Sequence, residues 1–127
     1  MADELCRRGY VKPSYREAVM EREKQFPTGL PVKPIGVAIP HTETSHVLEG
    51  TICLGLPETP VPFSEMGSEN GQVQAELIFM LAVTEKYQHM EVLSKLTELF
   101  RNEEDLRKLR SGEKAAVDEL LAGLSER

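Results

Sequence analysis

The sequence predicts a single-domain α/β sandwich, a mixed β-sheet flanked by helices. Three observations carry that expectation. Leu77 to Val83 is seven apolar residues without alternation, the pattern of a central strand buried on both faces. Seven of the eight prolines lie between Pro27 and Pro62, so this part of the chain must be loops and short strands with pre-set backbone angles. Apolar residues recur at helical spacing on either side of these segments, over 15–24 and from about residue 87 onward.

In chain order, residues 2–8 read as one or two turns of helix ended by Gly9. Ser14-Tyr15-Arg16-Glu17 has the form of a capping box, opening a helix from about Tyr15 to Lys24. Tyr15, Ala18, Val19 and Arg22 share one face of it, and Glu17, Glu21 and Lys24 lie largely on the other. Prolines 27, 31 and 34 forbid a helix. Ile35–Ile39 and Thr51–Leu56 are short apolar runs bounded by glycine or proline, which predicts strands. Val61 and Phe63 flank Pro62 and suit an edge or an extended connection. Ser64 to Gln72 reads as a polar loop before the strand 77–83. Met90, Leu93, Leu96, Leu99 and Phe100 mark an amphipathic helix over about 87–101. A charged helix with Leu106 and Leu109 inward is closed by Ser111-Gly112, and a last one runs over about 114–121 with Ala116, Leu120 and Leu124 inward.

A chain of 127 residues can bury a core without staples, and with no tryptophan that core must be mainly aliphatic. The net charge of −6, with lysines and arginines scattered among carboxylates, argues against nucleic acid. No apolar run approaches the roughly 20 residues of a membrane span. The acidic Met1-Ala2-Asp3-Glu4 start lacks the layout of a signal peptide. Cys6 and Cys53 form no spacing motif and read as reduced thiols of a cytoplasmic protein.

The chemistry concentrates in Gly36-Val37-Ala38-Ile39-Pro40-His41-Thr42-Glu43-Thr44-Ser45-His46, which holds two of the three histidines. His41 follows a strand and a proline. Pro40 fixes its own φ and biases Ile39 toward extended geometry, so the ring is aimed from a rigid base. The chain turns out of the sheet here, which predicts a ring that is not deeply buried. Its lone pair could serve a base, a metal ligand or a nucleophile; a surface histidine in a turn is the competing reading. His89 lies on an apolar stripe near a helix start, where a core histidine and a donor to a bound anion are both open. His41 and His46 with Glu43 between them could suggest a metal, but the spacing is not one helix face and no C-x-x-C pair assists. No nucleotide-binding glycine motif occurs, so neither metal nor cofactor is expected.

Arg22-Glu23, then Phe26-Pro27-Thr28-Gly29-Leu30-Pro31, then Gly36-Val37-Ala38-Ile39-Pro40-His41 together resemble the enzyme IIA domain of the bacterial sugar phosphotransferase system (PTS), fructose–mannitol type. Thr42, Ser45-His46-Val47 and Phe63-x-x-Met66-Gly67 look most like its galactitol-specific branch. The resemblance runs from about Tyr10 to the end. It implies a phosphotransferase whose His41 takes a phosphoryl group on Nε2 from phosphorylated HPr and passes it to a cysteine of enzyme IIB, which supplies the membrane enzyme IIC. It also implies that His89 supports the phosphoryl group. Thr42 and Ser45 hydroxyls, with His46 nearby, are the expected phosphoryl-binding groups. Val37, Ile39 and Leu81 are expected to keep the rim dry and form a docking patch. Family members usually begin with about 25 more residues, so the N-terminal portion is expected to be truncated. Some relatives are regulatory, which leaves a phosphohistidine signal to a binding partner as the alternative role.

Overall fold

The structure is a computed structural model that describes the backbone of residues 1–84 and 89–125, without the side chains at 89, 90, 116 and 121–125. Its helices are α1 (Ala2–Arg7), α2 (Tyr15–Gln25), α3 (His89–Phe100), α4 (Glu103–Ser111) and α5 (Lys114–Ser125). Its strands are β1 (Gly29–Leu30), β2 (Gly36–Ala38), β3 (Thr51–Gly55), β4 (Val61–Ser64) and β5 (Gln72–Ala82). The expected helix start at residue 87 and the inward side chains of Ala116 and Leu124 lie outside the described residues. Among the described residues no helix is long and apolar enough to cross a membrane.

The sheet is mixed, with β5 at its centre. β2 runs parallel to β5 on one edge, and β1 adds antiparallel to β2. On the opposite edge β3 pairs with residues 78–82 of β5, and β4 pairs with residues 72–75, both antiparallel. β5 is five residues longer at its start than the apolar run predicted. Its first half alternates, with Val73 and Ala75 buried between exposed Gln72 and Gln74, so it carries no continuous apolar signal. Between the halves the register to β2 slips: Gly36 pairs with Ala75 and Val37 with Leu77, skipping Glu76. The skipped residue pairs with Arg110 of α4 at 3.4 Å. Gly36 is required at this slip, because a Cβ there would sit 2.3 Å from the Gln74 carbonyl oxygen.

The two faces of the sheet are covered differently. Leu77, Phe79, Leu81 and Val83 join Val37 and Ile39 beneath Val92, Leu96, Leu106 and Leu109 of α3 and α4. Met80 and Ala82 lie on the other face under Leu5, Tyr15 and Val19 of α1 and α2. α4 is specified locally: Asn102 caps it by accepting from the Asp105 N–H at 3.1 Å, and left-handed Gly112 ends it. α2 differs. The capping box expected from Ser14 does not form, since its side chain makes no cap bond. Ser14 Oγ lies 2.8 Å from Nδ1 of His46 instead, tying the start of α2 to the loop after His41.

Candidate functional site

His41 leaves the sheet at the end of β2. Its backbone is held by β5, where the Leu81 N–H donates to the Pro40 carbonyl at 3.0 Å and His41 bridges to Leu81. Leu81 is held in turn by α2, whose Tyr15 hydroxyl donates to the Leu81 carbonyl at 2.6 Å. Burial pushes the Tyr15 phenol up, so it stays protonated and donating. Residue types placed far apart in sequence thus fix the strand end that carries the ring.

The ring itself is set by its own chain. His41 Nδ1 lies 2.8 Å from the Ile39 carbonyl oxygen. A carbonyl only accepts, so Nδ1 carries the proton and Nε2 carries the lone pair. Burial lowers the pKa of the ring, the bond to Ile39 opposes this, and the Arg22 charge lowers it further. The neutral, nucleophilic form therefore prevails at neutral pH. The turn predicted a ring that is not deeply buried, yet His41 is only 9% exposed. The turn does leave the sheet, but the ring lines a cleft of about 540 Å³ shared with Thr28, Ile39 and Leu93.

Beside Arg22 and Gln25 of α2 and Ile39 next to the ring, three further regions wall the cleft. The α2–β1 connection supplies Phe26, Pro27 and Thr28; the β4–β5 hairpin supplies Met66 to Glu69; α3 supplies Leu93. The hairpin is drawn in where the Met66 N–H donates to the Gly29 carbonyl at 2.8 Å, a close approach that a Cβ on Gly29 would block at 2.6 Å from the Ser64 oxygen. Phe26 and Met66 are exposed apolar residues at this mouth. The expected docking patch is corrected accordingly: Val37 and Leu81 are fully buried in the core under the helices, and only Ile39 of that set reaches the cleft.

Arg22 is the residue that composition and spacing did not single out. Its guanidinium sits over the Phe26 ring at 4.9 Å, and Arg22 lines the His41 cleft. Among the described residues its Nε is the buried side-chain polar atom without a hydrogen-bond partner. A buried donor of this kind costs free energy until an acceptor reaches it, which makes it a ready site for an anionic oxygen. Its helical face, shared with buried Tyr15 and Val19, was the available signal: a charge on an apolar face.

The remaining expected residues are divided. Thr42 and His46 line an adjoining cleft of about 250 Å³ that shares Arg22, Gln25 and Phe26 with the first. Thr42 is buried there, and His46 is tied to Ser14. Ser45 is exposed on a 3-10 turn (Thr44–His46) and lines neither cleft. His89 is the first residue of α3, one turn before Leu93 in the His41 cleft; its side chain lies outside the described residues. No group of three or more His, Cys, Asp or Glu among the described residues is placed to hold a metal ion.

A family model described as "Phosphoenolpyruvate-dependent sugar phosphotransferase system, EIIA 2" matches residues 1–123. The chain belongs to this EIIA family. It is 36% identical over 104 residues to the fructose-specific EIIABC component of the PTS in Bacillus subtilis, covering 80% of the chain and 15% of that protein. It is 30% identical over 93 residues to the galactitol-specific EIIA component of Escherichia coli K12, covering 73% and 61% respectively. The chain thus spans less than two thirds of either relative. Among solved structures, the Escherichia coli mannitol IIA in its complex with phosphorylated mannitol IIB superposes with a TM-score of 0.76 at 28% identity, over 95% of this chain and 81% of that one. The expected mixed sheet flanked by helices and the expected family both stand. The family is one of the phosphoenolpyruvate-dependent sugar phosphotransferase system.

Proposed function

We propose that His41 carries a phosphoryl group between two proteins. Nε2 attacks the phosphorus of a phosphohistidine on HPr, an N–P bond forms, and the P–N bond to the donor breaks with its electron pair returning to the donor ring. In the second step a cysteine thiolate of enzyme IIB attacks, an S–P bond forms, and the pair of the broken P–N bond returns to Nε2. The observation that carries this reading is the Nδ1–H bond to Ile39, which assigns the lone pair to Nε2 in a ring whose pKa is lowered. Transfer of this kind proceeds through a loose transition state, so the protein's part is alignment and charge balance, with no metal or other cofactor.

Arg22 supplies the charge balance, satisfying its buried Nε–H with a phosphoryl oxygen. Thr42 and His46 line the adjoining cleft together with Arg22 and serve as secondary phosphoryl-binding groups. Ser45 has no part in this geometry. His89, at the start of the helix that supplies Leu93, supports the phosphoryl group. Phe26 and Met66 meet the partner proteins. The single folded unit works in the cytoplasm and supplies a membrane enzyme IIC through IIB. The proposed sugar is a galactitol-like one, on the Thr42, Ser45-His46-Val47 and Met66-Gly67 pattern; the match to a fructose protein names the competing substrate.

Incubation with phosphorylated HPr, followed by mapping of acid-labile phosphate, tests the reading. The label belongs on His41, and label that persists in His41→Ala sinks it. Phosphorylation-dependent uptake of galactitol and fructose in cells relying on this chain separates the two sugars. Phosphate that reaches His41 but no IIB cysteine favours the regulatory role.

A further inference from the structure

We propose that Glu23 is a positioning residue for His41, acting through a two-pronged clamp on Thr28. The proposal deepens the phosphocarrier reading and rests on it only for the transfer rates. Glu23 Oε2 accepts from the Thr28 N–H at 2.8 Å, and Oε1 accepts from the Thr28 hydroxyl at 2.6 Å. Both arms of one carboxylate thus close on one buried residue five positions ahead, across the turn through Phe26 and Pro27. Hydrogen bonds to a carboxylate are the stronger kind, and two of them fix orientation as well as distance.

What the clamp holds is the path to the ring. The Thr28 carbonyl accepts from the Ile39 N–H at 3.3 Å, and Gly29 and Leu30 pair with Ala38 and Val37. Ile39 is the residue whose carbonyl sets the His41 tautomer. One residue, Thr28, therefore links the end of α2 to the strand that aims the imidazole. Glu23 adjoins Arg22 in sequence, and successive helical residues point about 100° apart. Arg22 accordingly enters the His41 cleft, while Glu23 lies in the next groove beside Pro40. The clamp therefore fixes the spacing between guanidinium and imidazole, because each is anchored to one side of it. It fixes the Phe26–Thr28 cleft wall at the same time.

A carboxylate that only stabilised the fold would change the melting temperature and leave the ring and the rate per folded molecule alone. The test measures both on the full chain for wild type, Glu23→Ala, Glu23→Gln, Thr28→Val and the double variant Glu23→Ala/Thr28→Val. The ring is read by ¹⁵N NMR of His41 without phosphate, and transfer by the rate of labelling from phosphorylated HPr. Glu23→Ala is expected to mix the His41 tautomers and slow labelling roughly ten- to a hundredfold, the range for a reacting group displaced by about 1 Å. Glu23→Gln keeps an oxygen for the Thr28 N–H and turns its amide toward the hydroxyl, so it should label within about threefold of wild type. Thr28→Val removes one arm only and should fall between, and the double variant should be no slower than Glu23→Ala. His41 spectra and folded-state rates unchanged in both Glu23→Ala and Thr28→Val would overturn the proposal. So would a Glu23→Gln protein as impaired as Glu23→Ala. A wild-type chain that takes no phosphate, yet shows the His41 tautomer shift in Glu23→Ala, keeps the clamp and removes the phosphocarrier reading.

Discussion

The segment from α2 to β2 and the segment from α3 to α5 are built by different means. In the second, leucines at helical spacing bury against one sheet face, and caps and i,i+4 ion pairs such as Arg107 with Glu103 specify the helices locally. In the first, regular structure is sparse once α2 has ended. Position comes from individual hydrogen bonds: Tyr15 to Leu81 and Ser14 to His46 reach across long stretches of sequence, and the Glu23 carboxylate clamps Thr28 five residues on. Apolar packing is non-directional and tolerates small shifts. A hydrogen bond fixes distance and angle. His41 sits where the directional construction is.

Variants can break that contrast, and the largest effect should come from the packed face. Phe79→Ala removes a fully buried ring packed 5.6 Å from Phe100 and should cost about 3–5 kcal/mol in denaturant unfolding. The folded fraction should still label on His41, because none of the site's hydrogen bonds is lost. Arg22→Met reverses the pattern. It should leave the melting temperature close to wild type and slow phosphoryl acceptance about tenfold or more, the loss of a charge-assisted contact. It should also raise the pKa of His41, since the Arg22 charge lowers it. In wild type the NMR titration of the ring should have its midpoint below the 6.5 of an ordinary imidazole. The sign for stability follows. The unfolded chain takes up this proton first as pH falls, so the His41 contribution is present above 6.5 and is lost as pH drops through the folded value.

A matched pair sharpens the comparison further. Tyr15→Phe deletes the bond to Leu81 and Asn102→Ala deletes the cap of α4, each at about 1 kcal/mol. Equal losses in thermal unfolding should accompany unequal activity: slower labelling in Tyr15→Phe, wild-type labelling in Asn102→Ala. Equal labelling in both would show that the strand end holds the ring without help from α2. Arg107→Ala should have the smallest effect, a few tenths of a kcal/mol in the same measurement.

The same contrast explains what could be read from the sequence. Helices α3 to α5 and the second half of β5 announce themselves through periodicity and apolar runs, which are local. The family was legible because Pro40-His41 and the segments before it form a local sequence pattern. The first half of β5 was hidden by its alternation. Ser14 had the right neighbours for a capping box but a better partner in His46, brought close only by folding. Thr42, Ser45 and His46 follow His41 within five residues, yet the 3-10 turn leaves Ser45 outside both clefts while Arg22, nineteen residues earlier in the chain, is inside. Nearness in sequence was a poor guide to nearness in space, because the chain turns sharply after the proline.

The bond from His41 to Ile39 has one more consequence. Donor and acceptor are two residues apart on the same short stretch of backbone, with a proline ring between them. If a docking partner moves that stretch as one unit, with Thr28 still holding the Ile39 N–H, both atoms travel together and the proton stays where it is. The imidazole can follow a moving interface without exchanging one ring nitrogen for the other, so on the proposed transfer route a single atom both receives and releases the phosphate.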